Sequence, residues 1–263
     1  MKKSIFKNRF FEIFYLGGFS IFLFKILLTG DAIKYVHPRF IPFLIVGAFF
    51  ASLIVVAIIL APAEKHGHKV SWVRIVLLVI PVLLGFIAPP DTEAMTQSAN
   101  ADQITQNVSS QPVQQQSTLV FSKDLSQDQI DEQLPEPLKK VRHASSFALD
   151  DEKFFSVVQD MYDNPAVYKG KHISFVGLVY HRKKSPANEM AVMRLMMTCC
   201  SADLQPVGLI CNQSGASDWK DKTWVKIEGV LTSKESEQGE LPIVVVDTIK
   251  QTEKPAQEYV YPL

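Results

Sequence analysis

The stretch richest in reactive side chains is Met190-Ala191-Val192-Met193-Arg194-Leu195-Met196-Met197-Thr198-Cys199-Cys200, and Cys211 is the third cysteine of the chain. Read as a strand, it puts Ala191, Met193, Leu195, Met197 and Cys199 on one face. Val192, Arg194, Met196, Thr198 and Cys200 take the other. The first set is expected in the core and the second in water. Cys199 is then expected to be structural and Cys200 the functional thiol. Three chemistries fit these residues. Buried cysteines and methionines serve as adaptable core fillers. In an oxidising compartment two cysteines can join in a disulfide. Adjacent cysteines strain the backbone, which favours Cys199–Cys211 or Cys200–Cys211. Thiolates and thioethers also suit a soft metal ion or metalloid. Asp203 follows closely and is expected to orient a thiol or a backbone amide, or to cap a turn.

His66-Gly67-His68 is a second candidate, since imidazole is a common metal ligand. Two histidines across one glycine supply at most part of a site, and a solvated polar loop explains them as well. No hydrolase elbow, phosphate loop, zinc-protease helix, dinucleotide fingerprint or catalytic triad is present. The chain is therefore expected not to be an enzyme and to need no cofactor beyond a metal or metalloid.

These residues need elements to position them. From about residue 146 the pattern is that of a small folded domain. Asp150 is placed to cap a helix running to about Asp163, stopped by Asn164-Pro165. Five strand-like runs follow: Lys171–His181, Met190–Thr198, Pro206–Cys211, Thr223–Thr232 and Pro242–Lys250. Alternation is clear in the first, where Ile173, Phe175, Gly177 and Val179 share a face. Five short strands with glycines inside two of them suggest a small all-β barrel of the OB type, preceded by a helix. Such barrels often hold single-stranded nucleic acid in a basic groove. Residues 91–263 carry 17 basic and 24 acidic residues, so nucleic acid is not an expected partner.

Residues 1–90 differ, with 10 basic against 3 acidic residues and long apolar runs. A helix crossing a bilayer needs about 20 mostly apolar residues. Three stretches approach this, at about 10–28, 40–61 and 72–88, so residues 1–90 are expected to form a three-helix membrane anchor. Lys2, Lys3, Lys7 and Arg9 precede the first, and Lys65, Lys69 and Arg74 flank the loop between the second and third. No basic residue follows Arg74 until Lys123. The positive-inside rule then places the N terminus in the cytoplasm and everything after Pro90 outside. Small residues Gly17, Gly18 and Ser20, and Gly47, Ala48, Ala51 and Ser52, would let two helices approach closely. Residues 91–145 are rich in Gln, Ser, Asp and Pro and read as a flexible linker.

Several of these segments resemble the YcgQ-like proteins of bacteria. They are His37-Pro38-Arg39-Phe40, the His66/His68 loop followed by Ser71-Trp72, and Leu77–Pro90. In the outer part they are Cys199-Cys200-Ser201-Ala202-Asp203 with Pro206-Val207-Gly208, and Trp224–Gly229. The resemblance implies a subunit of a two-component membrane permease complex, partnered by a separate multi-span permease. It further implies amino-acid transport or growth at low pH, and singles out Asp203, Pro206 and Gly208 with the cysteine pair. The expectation is a non-enzymatic accessory subunit in the cell membrane. The alternative is a membrane-tethered thiol, soft-metal or metalloid-binding module serving an efflux system.

Overall fold

A largely apolar run without proline carries α1 from Lys2 to Leu28, and it stops where Gly30 takes a left-handed backbone (φ +76°). The structure is a computed structural model. It describes residues 2–60, 134–182, 185–236 and 239–262, with side chains in α1 from Ile13 onward. The chain divides into two compact units, one built on the N-terminal helices and one on a β-sheet.

In the helical unit, Thr29 closes α1 by returning its hydroxyl to the Lys25 carbonyl (3.0 Å). A short α2 (Ala32–Tyr35) and a 3-10 turn (Pro38–Phe40) lead into α3 (Ile41–Leu60). The His37 imidazole caps that turn, its Nδ1 accepting the Arg39 N–H (3.1 Å), and Pro38 fits the first turn. α1 and α3 pack through Leu23, Ile26 and the fully buried Ala48. The Ser20 and Ser52 hydroxyls bond each other at 2.7 Å across this contact. The expected small-residue seam therefore rests on Ser20, Ala48, Ala51 and Ser52. Gly17, Gly18 and Gly47 have open space where a side chain would begin.

The three-helix anchor is corrected. Among the described residues one helical stretch, Pro38–Leu60, is long and apolar enough to cross a membrane. The apolar part of α1 is only Ile13–Leu28, about 24 Å at 1.5 Å per residue against a core of about 30 Å. The expected third span at 72–88 and the His66/His68 loop lie outside the described residues.

The sheet unit opens with α4 (Glu136–His143), inside the segment that sequence reads as linker. Then come β1 (Ser146–Ala148), α5 (Phe154–Asp163) and α6 (Pro165–Tyr168). Six further strands are β2 (His172–Tyr180), β3 (Glu189–Met196), β4 (Gln205–Asn212), β5 (Trp224–Ser236), β6 (Gly239–Gln251) and β7 (Tyr259–Val260). The five expected strands match β2 to β6 closely. The expected small OB-type barrel is corrected to a seven-stranded mixed sheet in the order β1-β2-β5-β6-β4-β3-β7, with a further β2–β3 pairing. Its parallel pairs are β1–β2, β4–β6 and β3–β7. β1 and β7 are three and two residues long, too short for alternation to reveal them.

The two closest backbone approaches require glycine. A Cβ on Gly208 would stand 2.3 Å from the Val192 carbonyl oxygen and 2.6 Å from Met193 Cα. One on Gly229, beside a bulge in the β5–β6 ladder, would stand 2.3 Å from the Val245 carbonyl oxygen.

The main core lies where α5 meets the sheet, with Phe154, Val158 and Met161 against Phe175, Val192, Leu209 and Ile227. Phe154 and Phe175 meet edge to face at 6.1 Å. α4 is tied down by a buried ion pair. The Arg142 guanidinium donates to both Asp160 oxygens, from Nε at 2.8 Å, and the Tyr168 hydroxyl and Asn164 amide donate to the same carboxylate. Lys171 donates to the Arg142 carbonyl at the end of α4, where a cation suits the helix dipole.

A candidate soft-metal loop

β3 and β4 form an antiparallel hairpin in which Met196 faces Gln205 and Glu189 faces Asn212. The segment between them carries Cys199, Cys200 and Asp203. Its two ends are fixed. The Met197 N–H donates to the Val260 carbonyl (3.0 Å), and Pro206 begins the return opposite Leu195. Gly208, opposite Met193, lets the strands close, and the buried Tyr162 hydroxyl donates to its carbonyl (3.2 Å). Within the loop the Thr198 N–H donates to Asp203 Oδ1 (3.1 Å), and Ser201–Asp203 make one 3-10 turn. Asp203 thus does hold a backbone amide. Cys199 Sγ and Cys200 Sγ are 3.6 Å apart. The ligand atoms of Cys199, Cys200 and Asp203 all lie within 4.8 Å of one another.

The exposure order is the reverse of the expectation. Cys199 is exposed and Cys200 half-buried. Strand parity ends with β3 at Met196, so it does not govern residues beyond the turn-out at Thr198. Inside β3 both faces are covered. Val192 and Met196 enter the main core, while Ala191, Met193, Leu195 and Met197 form a second cluster with Leu178, Tyr180 and Tyr259.

Cys211 does not join the pair. It sits fully buried on β4 opposite Met190, at the far end of the hairpin from the loop. Six residues of strand separate Met190 from Met196, about 20 Å at 3.3 Å per residue. A disulfide needs Cα atoms within about 7 Å, so neither Cys199–Cys211 nor Cys200–Cys211 can form in this fold. Burial also pushes the Cys211 thiol well above its ordinary pKa, which keeps it protonated and inert.

Arg194, expected in water, is the residue that strand parity misplaced most. It is 1% exposed, its guanidinium 2.6 Å from Asp151 Oδ1 and also bonded to the Gln257 carbonyl. It lies over the rings of Trp224 and Phe154 at 5.3 and 5.9 Å. A lone arginine centred in an apolar strand is the sequence signal for such a buried charge. It clamps the C-terminal segment to the sheet. A separate groove of about 520 Å³ runs beside β1, lined in part by His172, Ser174, Glu228 and Asp247. Hydrogen bonding from Lys226 holds Glu228 below the usual carboxylate pKa.

Two family models cover the chain. The DUF1980 N-terminal domain matches residues 11–104 and the DUF1980 C-terminal domain residues 124–262. The chain belongs to the DUF1980 family. It is similar to the UPF0703 protein YcgQ of Bacillus subtilis, 22% identical over 95% of this chain and 99% of that protein. It is also similar to a Streptococcus mutans protein named "putative two-component membrane permease complex subunit", 23% identical over 94% of this chain and 97% of that protein. The resemblance to YcgQ-like proteins is thus a full-length one. That name describes a subunit of a membrane permease rather than an enzyme. In this DUF1980 chain the C-terminal match takes in the whole sheet, α4 and the cysteine loop.

Proposed function

We propose that the chain is a non-catalytic accessory subunit of a two-component membrane permease, acting beside a separate multi-span partner. The observation that carries this reading is α3. It presents Phe43, Ile45, Val46, Phe49, Phe50 and Leu53 outward, an apolar surface suited to lipid or to another membrane helix. The full-length similarity to a protein named as a permease complex subunit supports the partnership. In this reading the N terminus is cytoplasmic and the sheet unit is extracellular. The basic residues before Ile13 support that orientation. The tasks proposed are amino-acid transport and survival at low pH, as the YcgQ-like resemblance implies.

The test is reconstitution. The purified full chain in liposomes is expected to move no amino acid. Affinity purification from its own host is expected to bring a multi-span membrane protein in fixed ratio. Specific flux by the chain alone overturns the accessory reading and makes it the permease.

A further inference from the structure

We propose that Cys199, Cys200 and Asp203 bind one borderline-soft divalent cation of the zinc class, with one coordination position left open. Among the described residues this is the one group of three such donors that converges.

The geometry agrees with tetrahedral coordination. Two sulfurs bound at about 2.3 Å to one tetrahedral ion stand about 3.8 Å apart. Cys199 Sγ and Cys200 Sγ stand at 3.6 Å. A sulfur and an oxygen on the same ion stand about 3.5 Å apart, given an oxygen bond of about 2.0 Å. The Asp203 oxygen lies within 4.8 Å of both sulfurs, so closing the site takes a shift of at most about 1.3 Å. A half-exposed loop tolerates such a shift, and the bond from the Thr198 N–H holds the carboxylate.

Donor chemistry selects the ion. Two thiolates disfavour calcium and magnesium, which take oxygen ligands. A carboxylate beside them favours borderline zinc over copper(I), which prefers sulfur alone. On binding, both thiols release their protons to solvent, two metal–sulfur bonds form, and no electron moves. Three protein ligands with a fourth position open distinguish this arrangement from a closed four-ligand structural site. Cys199 is exposed and Cys200 and Asp203 are half-exposed, so the ion can arrive from solvent.

The experiment uses the full chain in detergent, reduced and stripped of metal. Zinc is titrated against a chromophoric chelator, and cadmium while following the thiolate charge-transfer absorption. The wild type is expected to take one equivalent, with a thiolate band under cadmium. Cys199→Ser and Cys200→Ser should each weaken binding at least tenfold, and the double variant should abolish it. Asp203→Asn should weaken it measurably while leaving the stoichiometry at one equivalent. Cys211→Ser and the His66→Ala/His68→Ala variant should bind as wild type does. An unchanged urea unfolding midpoint in the cysteine variants separates ligand loss from misfolding. No uptake by the wild type, or an equivalent retained by the double cysteine variant or lost with the histidines, overturns the proposal. Binding is read without any partner, so its failure leaves the accessory role standing, and failure of that role leaves the site standing.

Discussion

The Arg142–Asp160 pair is the sharpest test of how the sheet unit is held together. The side chains are 2% and 8% exposed, so neither charge has much water to fall back on. Asp160→Asn keeps the shape but turns an acceptor oxygen into a donor facing the guanidinium. It also weakens the acceptor shared by the Tyr168 hydroxyl and the Asn164 amide. Breaking one side of a buried pair costs about 3–5 kcal/mol, a large part of a typical stability of 5–15 kcal/mol. With a urea slope of about 2 kcal/mol/M, the midpoint should fall by about 2 M. The assay is urea unfolding of the full chain in detergent, followed by tryptophan fluorescence, because Trp219 and Trp224 belong to the sheet unit. The companion variant replaces both partners, Arg142→Met with Asp160→Leu. With no charge stranded it should recover part of the loss, the buried Tyr168 hydroxyl, left without its acceptor, still costing about 1–3 kcal/mol. A loss below about 1 kcal/mol for Asp160→Asn, or no recovery in the double variant, refutes the reasoning. The first result would mean that water reaches this pair in solution, the second that apolar side chains do not fill its site.

Gly208→Ala should cost at least about 1–3 kcal/mol, because its Cβ would press on the Val192 carbonyl and the Met193 backbone; an unchanged unfolding midpoint would contradict the hairpin register. A maleimide should label Cys199 and Cys200 in the folded chain and reach Cys211 only in denaturant; equal rates for all three would place Cys211 outside the core. In a cysteine-free background, Ser20→Cys with Ser52→Cys should crosslink under mild oxidant on a gel, because the native hydroxyls touch at 2.7 Å; no crosslink would remove the α1–α3 contact.

The strands that could be read from sequence are those with one covered face. In β2, Ile173 and Phe175 are each 2% exposed. In β5, Val225, Ile227 and Leu231 are buried while Lys226 and Glu228 face water. β3 has no wet face, so alternation there identifies a strand without saying which side is inside. Arg194 went to the wrong environment for that reason. α4 escaped notice for another reason. Glu136-Pro-Leu-Lys-Lys-Val-Arg-His143 is polar enough to pass for linker, and its docking depends on a carboxylate 18 residues beyond Arg142. The apolar helices could be read by composition, but length decided between them. α3 with its preceding turn has it, and the apolar part of α1 does not.

The cysteine loop was only half legible, and the legible half is what proximity in sequence guarantees. Cys199, Cys200 and Asp203 lie within five residues, so any turn brings them together. Cys211 was paired with them on the idea that neighbouring strands bring their cysteines near. An antiparallel hairpin does the opposite with a residue near its turn and one near its open end. It keeps them a strand's length apart, and the register that sets Cys211 against Met190 follows from closing the turn between Met196 and Gln205. The same register explains why the loop can be a site. Its stems are held by the bond from Met197 to Val260, by the close approach at Gly208 and by the hydroxyl of Tyr162. A thiol pair on so fixed a base starts near its bound separation. The motion that binding then requires falls mainly on Asp203, whose carboxylate lies one 3-10 turn away.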